Sequence, residues 1–337
     1  MIPVNFEARR AIYKKIEAER STKVLAYITG DRRGVETQIS ADCIDLFVDF
    51  LDQIGPTKKL SLILHTNGGE TLAAWRLVNL LRIFCDELEI MIPTKALSAG
   101  TLICIGADKL VMTKQAVLGP IDPSVNNPLN PQANMGGNQT ARVPVSVENV
   151  LGYLSAAKDE LKISSEQYLT NILLNLAGEV HPLVLGEIFR SRAQIRFLAG
   201  KLLPRQVHDK KNMKKIIDFL CAESGSHDYT INRREASELG LRVEKPSADL
   251  YLSLREIYLS YGKELELLDP YNPQVLLGVN QTVPYALVRG LIESPIGGCY
   301  QFLSLGTLTK SVVPVGPLGP QEAITDQRTF EGWKKFP

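Results

Sequence analysis

Short apolar runs alternate with helical patterns in the first part of the chain, and this alternation constrains the fold more than any other feature. The apolar runs have the length and composition of strands and cover residues 23–29, 60–65 and 88–93. The segments between them, residues 41–55 and 70–84, repeat apolar side chains at helical spacing. Short runs that are apolar throughout are typical of strands covered on both faces, and a strand–helix–strand order favours parallel pairing. The sequence therefore predicts an α/β fold on a mostly parallel sheet.

The rest of the chain changes character twice. Residues 120–144 are rich in proline and asparagine, which predicts a long loop. Helical patterns then dominate, and two strand-like runs near the C-terminus, residues 284–292 and 300–308, predict a β-hairpin. We therefore expect three parts: an α/β core in residues 1–145, a helical part in residues 146–245 and a small C-terminal α+β appendage in residues 246–337.

Composition excludes several classes of protein. The 38 basic and 37 acidic side chains nearly cancel, which argues against a protein that binds nucleic acid or anionic membranes through bulk charge. The five cysteines are far apart and lack CxxC spacing, and His65, His208 and His227 are scattered, so no metal site or cofactor is expected. No apolar run reaches the roughly 18 residues of a membrane span. We expect a cytoplasmic protein without a membrane span.

Two junctions between a strand and a helix carry residues suited to chemistry. Residues 65–70 read His-Thr-Asn-Gly-Gly-Glu, and residues 94–101 place Ser98 at the start of a helix of small residues. Taken singly, a tight turn at the glycines and a serine N-cap are the simpler explanations. Because adjacent parallel strands end at the same edge of a sheet, however, backbone amides of the two junctions could face each other beside the serine. Two such donors would form an oxyanion hole for acyl chemistry. Phosphate-binding glycine motifs are absent.

At these junctions the sequence resembles a known family. The runs LHTNGGETLAAWRLVNLL and KALSAGTLICIGADKLVMTKQAVLGPIDP are similar to the Clp and signal-peptide-peptidase class of serine proteases, and the branch called serine dehydrogenase proteinases is the most similar. HPLVLG at residues 181–186 and the segment 226–241 also resemble that branch, so the resemblance covers about residues 23–241.

The resemblance implies a layered Clp/crotonase-like fold with a helical extension. It implies Ser98 as nucleophile, an oxyanion hole from the amides of Gly68, Gly69 and Ala99, and a peptide or protein substrate. It also implies a homo-oligomer that assembles through the helical region.

The sequence departs from the related patterns at two positions. Asp122, 24 residues after Ser98, occupies the place where Clp-type proteases carry their histidine base. Asn67 stands where the family usually has a proline before the two glycines. A serine–histidine–aspartate triad is therefore not expected.

Two side chains are candidates for the base that a nucleophilic serine needs. Signal peptide peptidases use a lysine from a later helix, and in the helix predicted at residues 147–161, Lys158 falls about 35° from the centre of the apolar stripe. Burial there would lower the lysine pKa, as a Ser-Lys dyad requires. The alternative is a lysine whose stem packs while its amine reaches water. His181 is the alternative base, although a local hydrogen bond at the helix start explains it more simply.

The main hypothesis is a serine peptidase that forms an acyl-enzyme on Ser98, with a Ser-Lys dyad. A catalytically inactive scaffold that binds peptides or partner proteins is the alternative, because the base is not identified. A crotonase-type acyl-CoA enzyme shares the fold and the two-amide hole and ranks third.

Overall fold

The structure, a computed structural model, describes residues 5–121, 124–125, 127–136, 139–223, 229–314 and 320–336. The α-helices are α1 (Phe6–Arg20), α2 (Cys43–Ile54), α3 (Thr71–Phe84), α4 (Ala99–Ile105), α5 (Val147–Ser155), α6 (Glu166–Glu179), α7 (Pro182–Leu202), α8 (Lys210–Asp218), α9 (Arg233–Glu238), α10 (Ala248–Glu264) and α11 (Pro273–Leu277). A 3₁₀ turn follows α7 at Leu203–Arg205, and π-helical turns follow α5 at Ala156–Glu160 and α8 at Phe219–Glu223.

The strands form one large sheet and several small ones. They are β1 (Lys23–Thr29), β2 (Thr57–His65), β3 (Cys85–Ile92), β4 (Lys95–Ala96), β5 (Lys109–Met112), β6 (Val117–Leu118), β7 (Ser124–Val125), β8 (Gln132–Gly136), β9 (Gln139–Arg142), β10 (Val145–Ser146), β11 (Ile231–Asn232), β12 (Val243–Glu244), β13 (Thr282–Ser294), β14 (Gly298–Pro314) and β15 (Pro320–Phe336). The large sheet has the order β12-β5-β3-β2-β1-β13-β14-β15.

The first half of the large sheet is parallel, as the sequence predicts. Strands β1, β2, β3, β5 and β12 run side by side in one direction, and α2 and α3 make the crossovers between the first three. The predicted α/β fold class is therefore confirmed. The carboxyl ends of β1, β2 and β3 lie at one edge, which is the edge that both predicted junctions follow.

The large sheet is covered on both faces. Side chains alternate along β2, so that Leu62 and Leu64 pack in one core with α2, α3, α4 and α7, whereas Ile63 packs in another core with α1 and α10. Burial on both faces is why this strand reads as a continuous apolar run.

The C-terminal residues extend the large sheet. The predicted hairpin is present as β13 and β14, and β13 pairs antiparallel with β1, so that Ile28 lies opposite Leu291. Nothing local in these strands identifies β1 as their neighbour. The expected division into parts at residues 145 and 245 stays a prediction.

The long loop expected at residues 120–144 contains regular structure. Strands β8 and β9 pair antiparallel, and β7 pairs with β10. The prediction of a loop without strands is therefore wrong for the part that the structure describes. Pairing of adjacent short segments satisfies backbone groups even where apolar side chains are few.

Among the described residues, no single helix is long and apolar enough to cross a membrane. Helix α6 and the segment Pro182–Arg205 pass that test only as a pair, which is bent by 105°. All five cysteines are free and buried.

Candidate active site

The glycine junction is held between two neighbouring segments. It leaves β2 at His65, and Thr66 pairs with Ala96 of β4 while Gly69 pairs with Ile39 on the other side. The Ile39 N–H donates to the Gly68 carbonyl at 2.8 Å, and the Glu70 N–H donates to the Ile39 carbonyl at 2.8 Å. The C=O and N–H of one trans peptide point in opposite directions, so the Gly69 N–H points away from Ile39.

The serine junction has a strained backbone. Ser98 follows β4 and precedes α4, and its φ of 50° and ψ of −115° lie outside the regions that residues with a Cβ normally adopt. Its side chain is partly exposed and makes no capping hydrogen bond to α4. The simple N-cap explanation therefore does not account for it. Strain of this kind is typically found at functional sites.

The two junctions meet, as the sequence predicts. A Cβ built on Gly68 would lie 2.8 Å from the Ser98 Cβ, 3.0 Å from the Leu97 carbonyl oxygen and 3.3 Å from the Ala99 nitrogen. Gly68 also has a φ of 114°, which L-residues rarely adopt. Only glycine at this position allows the backbone of the first junction to approach the serine so closely.

The backbone N–H groups at the contact are not equivalent. The Gly68 N–H donates to the Thr66 hydroxyl at 2.9 Å and is therefore occupied. Within the described part of the chain, the N–H groups of Gly69 and Ala99 have no hydrogen-bond acceptor. For Ala99 this is expected, because the first N–H of a helix has no partner inside it. Two of the three amides expected in the oxyanion hole are thus free to bind a ligand.

Lys158 does not lie where the sequence predicts. Helix α5 ends at Ser155, and Lys158 lies in the π-helical turn that follows, where its side chain is exposed. A π-helical turn has more residues per turn than an α-helix, so the projection at 100° per residue fails beyond Ser155. Ala157 is buried instead. The expectation of a buried lysine is wrong, and the role of Lys158 as base stays a prediction.

The other candidate bases give no further support. His181 is exposed at the N-cap of α7, where its Nδ1 accepts a hydrogen bond from the Leu183 N–H at 3.2 Å, which is the local bond that the simpler explanation expects. Asp122 lies outside the described residues. Among the described residues, no group of histidine, cysteine and acidic side chains could hold a metal ion.

Sequence reasoning missed a hydrogen-bonded chain at the same edge of the sheet. His65 Nδ1 lies 2.6 Å from the Thr94 hydroxyl, His65 Nε2 lies 3.2 Å from Asp31 Oδ1, and the Lys95 ammonium binds the other oxygen of Asp31. The sequence signal that could have revealed these hydrogen bonds is the position of the three residues relative to the strands. Asp31, His65 and Thr94 each stand at or just after the end of one of three adjacent parallel strands.

These hydrogen bonds set the protonation state and the tautomer of His65. Burial lowers the His65 pKa, and the Asp31 carboxylate offsets part of that shift. The pKa of Asp31 lies below its usual range because hydrogen bonds from His65 and Lys95, together with the charge of Lys95, outweigh its own burial. A neutral His65 then donates from Nε2 to Asp31 and accepts at Nδ1 from the Thr94 hydroxyl, a tautomer that follows from the hydrogen-bond network.

Comparison with known proteins identifies the family that the sequence resembles. Residues 3–135 match the model of the family described as ClpP-like SDH-type serine proteinase. The match includes both junctions and confirms the resemblance over those residues. The enzyme class predicted from the sequence, a serine peptidase, is the class of this family. The expected extension of the resemblance to residue 241 lies beyond the matched region.

Two relatives come from Methanocaldococcus jannaschii. Uncharacterized protein MJ0137 is 28% identical over 202 residues, which is 60% of this chain and 59% of the relative. Uncharacterized protein MJ1495 is 26% identical over 253 residues, which is 73% of this chain and 74% of the relative. The chain thus spans less than two thirds of the length of the first.

Two solved structures are also similar, both of single-residue mutants of the 1510-N membrane-bound stomatin-specific protease. The first is 16% identical, and the match covers 69% of this chain and 83% of that one. The second is a complex with a substrate peptide; it is 18% identical, and the match covers 68% of this chain and 77% of that one. Both have a TM-score of 0.39.

Proposed function

We propose that this protein is a serine peptidase that cleaves peptide bonds through an acyl-enzyme on Ser98. The observation that carries the proposal is the contact between Gly68 and the strained Ser98, with the free N–H groups of Gly69 and Ala99 beside it. The match to a serine proteinase family over the region that contains both junctions supports the same reaction.

The proposed reaction uses these groups in order. The Ser98 oxygen attacks the carbonyl carbon of the scissile peptide bond, its proton passes to a base, and negative charge develops on the carbonyl oxygen. The N–H groups of Gly69 and Ala99 stabilise that oxyanion, and one such donor is typically worth about 100- to 1,000-fold in rate. The amine then leaves with a proton from the base, and water hydrolyses the ester.

Ser98 and Gly68 provide the first test. Ser98→Ala should abolish covalent labelling by a fluorophosphonate, which forms a bond between the serine oxygen and phosphorus as fluoride leaves. Gly68→Ala should reduce the labelling rate at least about 100-fold, because the added Cβ pushes the two junctions apart.

Gly152→Ala is the matched control, since a Cβ at Gly152 would meet nothing within 4 Å. Labelling can be followed by intact mass and hydrolysis with a set of fluorogenic peptides. Normal labelling of Ser98→Ala would refute the nucleophile, and normal labelling of Gly68→Ala would refute the oxyanion geometry.

For the base we propose a lysine, and Lys158 is the candidate. Asp122 stands where a catalytic histidine would be expected, and His181 is engaged in the cap of α7. The Lys158 side chain is exposed in the π-helical turn that follows α5. Within the described residues the Ser98 hydroxyl makes no hydrogen bond, so the proposed dyad needs the turn at Ala156–Glu160 to approach the serine.

Lys158→Ala tests the proposed dyad, and removal of a nearby lysine, Lys162, is the control. We expect Lys158→Ala to slow labelling about 100- to 10,000-fold, the usual contribution of a general base. Lys162→Ala, which removes an exposed amine from the same region, should label at the wild-type rate. Equal labelling of both variants and the wild type would remove Lys158 from the mechanism, and a loss in His181→Ala alone would assign the base to His181.

A scaffold without activity is the second candidate function. The observation that favours it is the absence of a base next to the Ser98 hydroxyl among the described residues. The same labelling experiment separates the two, because a scaffold would bind peptides without forming a covalent adduct.

We also propose that the protein forms a homo-oligomer through α6. This helix has no buried residue, although it carries the large apolar side chains Tyr168, Leu173 and Leu174, all exposed. Its only charges, Glu166 and Glu179, are at its two ends. A helix that is apolar on its exposed side is usually covered by a partner.

Leu174→Glu tests this assembly. We expect the wild-type protein to have a multiple of the 37.3 kDa chain mass by light scattering after size exclusion, and Leu174→Glu to shift it toward a single chain, since burial of the new carboxylate is unfavourable. Leu268→Glu, at an exposed leucine outside α6, is the control and should not change the mass. A wild-type protein that runs as a single chain would contradict the proposal.

A further inference from the structure

The hydrogen bond between His65 and Thr94 joins the starting points of the two junctions. His65 is the last residue of β2 and immediately precedes Thr66, where the glycine junction begins. Thr94 immediately precedes β4, which leads to Ser98 four residues later. The side-chain bond of 2.6 Å therefore connects the two segments on which Gly69 and Ala99 are carried.

One β-bridge, between Thr66 and Ala96, already joins the backbones of these two segments. The Thr66 N–H donates to the Lys95 carbonyl at 3.2 Å, and the Leu97 N–H donates to the Thr66 carbonyl at 3.0 Å. The bond between His65 and Thr94 adds a second point of attachment next to this bridge. Two attachment points restrict the rotation of one segment against the other, which a single bridge allows.

His65 is itself held rigidly. It is 1% exposed, and its ring lies against Tyr258 and Tyr261 of α10, with ring centroids 6.0 and 5.3 Å away. Asp31 holds the Nε2 side through a 3.2 Å bond and is held in turn by Lys95. A residue that only filled space at this position would not need a hydrogen bond at both ring nitrogens, because an apolar side chain would avoid the cost of burying polar atoms.

The spacing that this bond controls is critical for the proposed reaction. Donors in an oxyanion hole act only when they are about 2.7–3.1 Å from the developing charge, and a displacement of about 1 Å can cost about 100-fold in rate. Gly69 lies four residues beyond His65, and Ala99 lies five residues beyond Thr94. A change at the starting points would be transmitted over a short stretch of chain to both donors.

We propose that His65 is a positioning residue for the peptidase site, which acts through the Thr94 hydroxyl to set the distance between the Gly69 and Ala99 N–H groups. This inference rests on the proposed function of Ser98. It assigns to His65 neither contact with the substrate nor transfer of its proton.

Paired substitutions test the inference. Thr94→Val keeps the shape but removes the donor, and His65→Gln keeps a group near the Nε2 position but not at Nδ1. Both should lower the maximal rate of fluorophosphonate labelling by about 10- to 100-fold and leave the half-saturating reagent concentration unchanged, because the donors act in the transition state. Thr94→Ser and His65→Asn, which keep a partner at each end of the bond, should restore most of the rate.

Further comparisons separate positioning from stability. The double variant His65→Gln, Thr94→Val should label no more slowly than either single variant, because all three lack the same bond. Thr282→Val removes a hydroxyl from an exposed pair with Thr309 in the C-terminal strands and should label normally. If Thr94→Val labels at the wild-type rate, or if its only effect is a smaller folded fraction, the inference is wrong.

Hydrogen exchange tests the positioning role of His65 independently of the proposed peptidase activity. If wild-type protein is not labelled at Ser98, the proposed peptidase is refuted, and amide exchange in residues 66–69 and 96–99 still reports on the geometry. Faster exchange there in Thr94→Val, but not in Thr94→Ser, would support the control of loop position by His65. Unchanged exchange would overturn it.

Discussion

The close approach of Gly68 to Ser98 is the constraint on which the proposed site depends. A Cβ on Gly68 would lie 2.8 Å from that of Ser98, so the approach exists only because residue 68 is glycine and adopts a positive φ. On the opposite side, a Cβ on Gly69 would lie 2.2 Å from the Ile39 carbonyl oxygen. The paired glycines thus let the first junction fit between two neighbours, and the Gly69 N–H points away from Ile39.

The sheet supplies the framework for this contact. Parallel strands bring β2 and β3 to one edge, and the chain leaves each of them through a short junction, one with the glycines and one with Ser98. Hydrogen bonds link Asp31, His65 and Thr94 where these junctions begin, and the His65 ring packs against α10. In the proposed mechanism the amides stabilise charge, and the partly buried chain of hydrogen bonds holds them in position without contacting substrate.

Much of this arrangement could be predicted from the sequence because it depends on local signals. Alternating apolar runs predicted the parallel strands, and paired glycines and a serine after consecutive strands indicated a shared edge.

What could not be predicted depends on contacts distant in sequence or on small changes of helical pitch. A π-helical turn moved Lys158 to the exposed side, and nothing local in β13 identifies β1 as its partner. His65 was passed over because one histidine in an apolar strand carries no spacing signal, and its partners are 34 and 29 residues away.

The most direct test of the central claim is a crystal structure of the protein treated with a peptide aldehyde, which forms a tetrahedral adduct with an active serine. The account predicts a bond from the Ser98 oxygen to the aldehyde carbon, with the adduct oxygen about 2.7–3.1 Å from both the Gly69 and Ala99 nitrogens. An adduct oxygen that faces solvent, or that contacts neither amide, would contradict it.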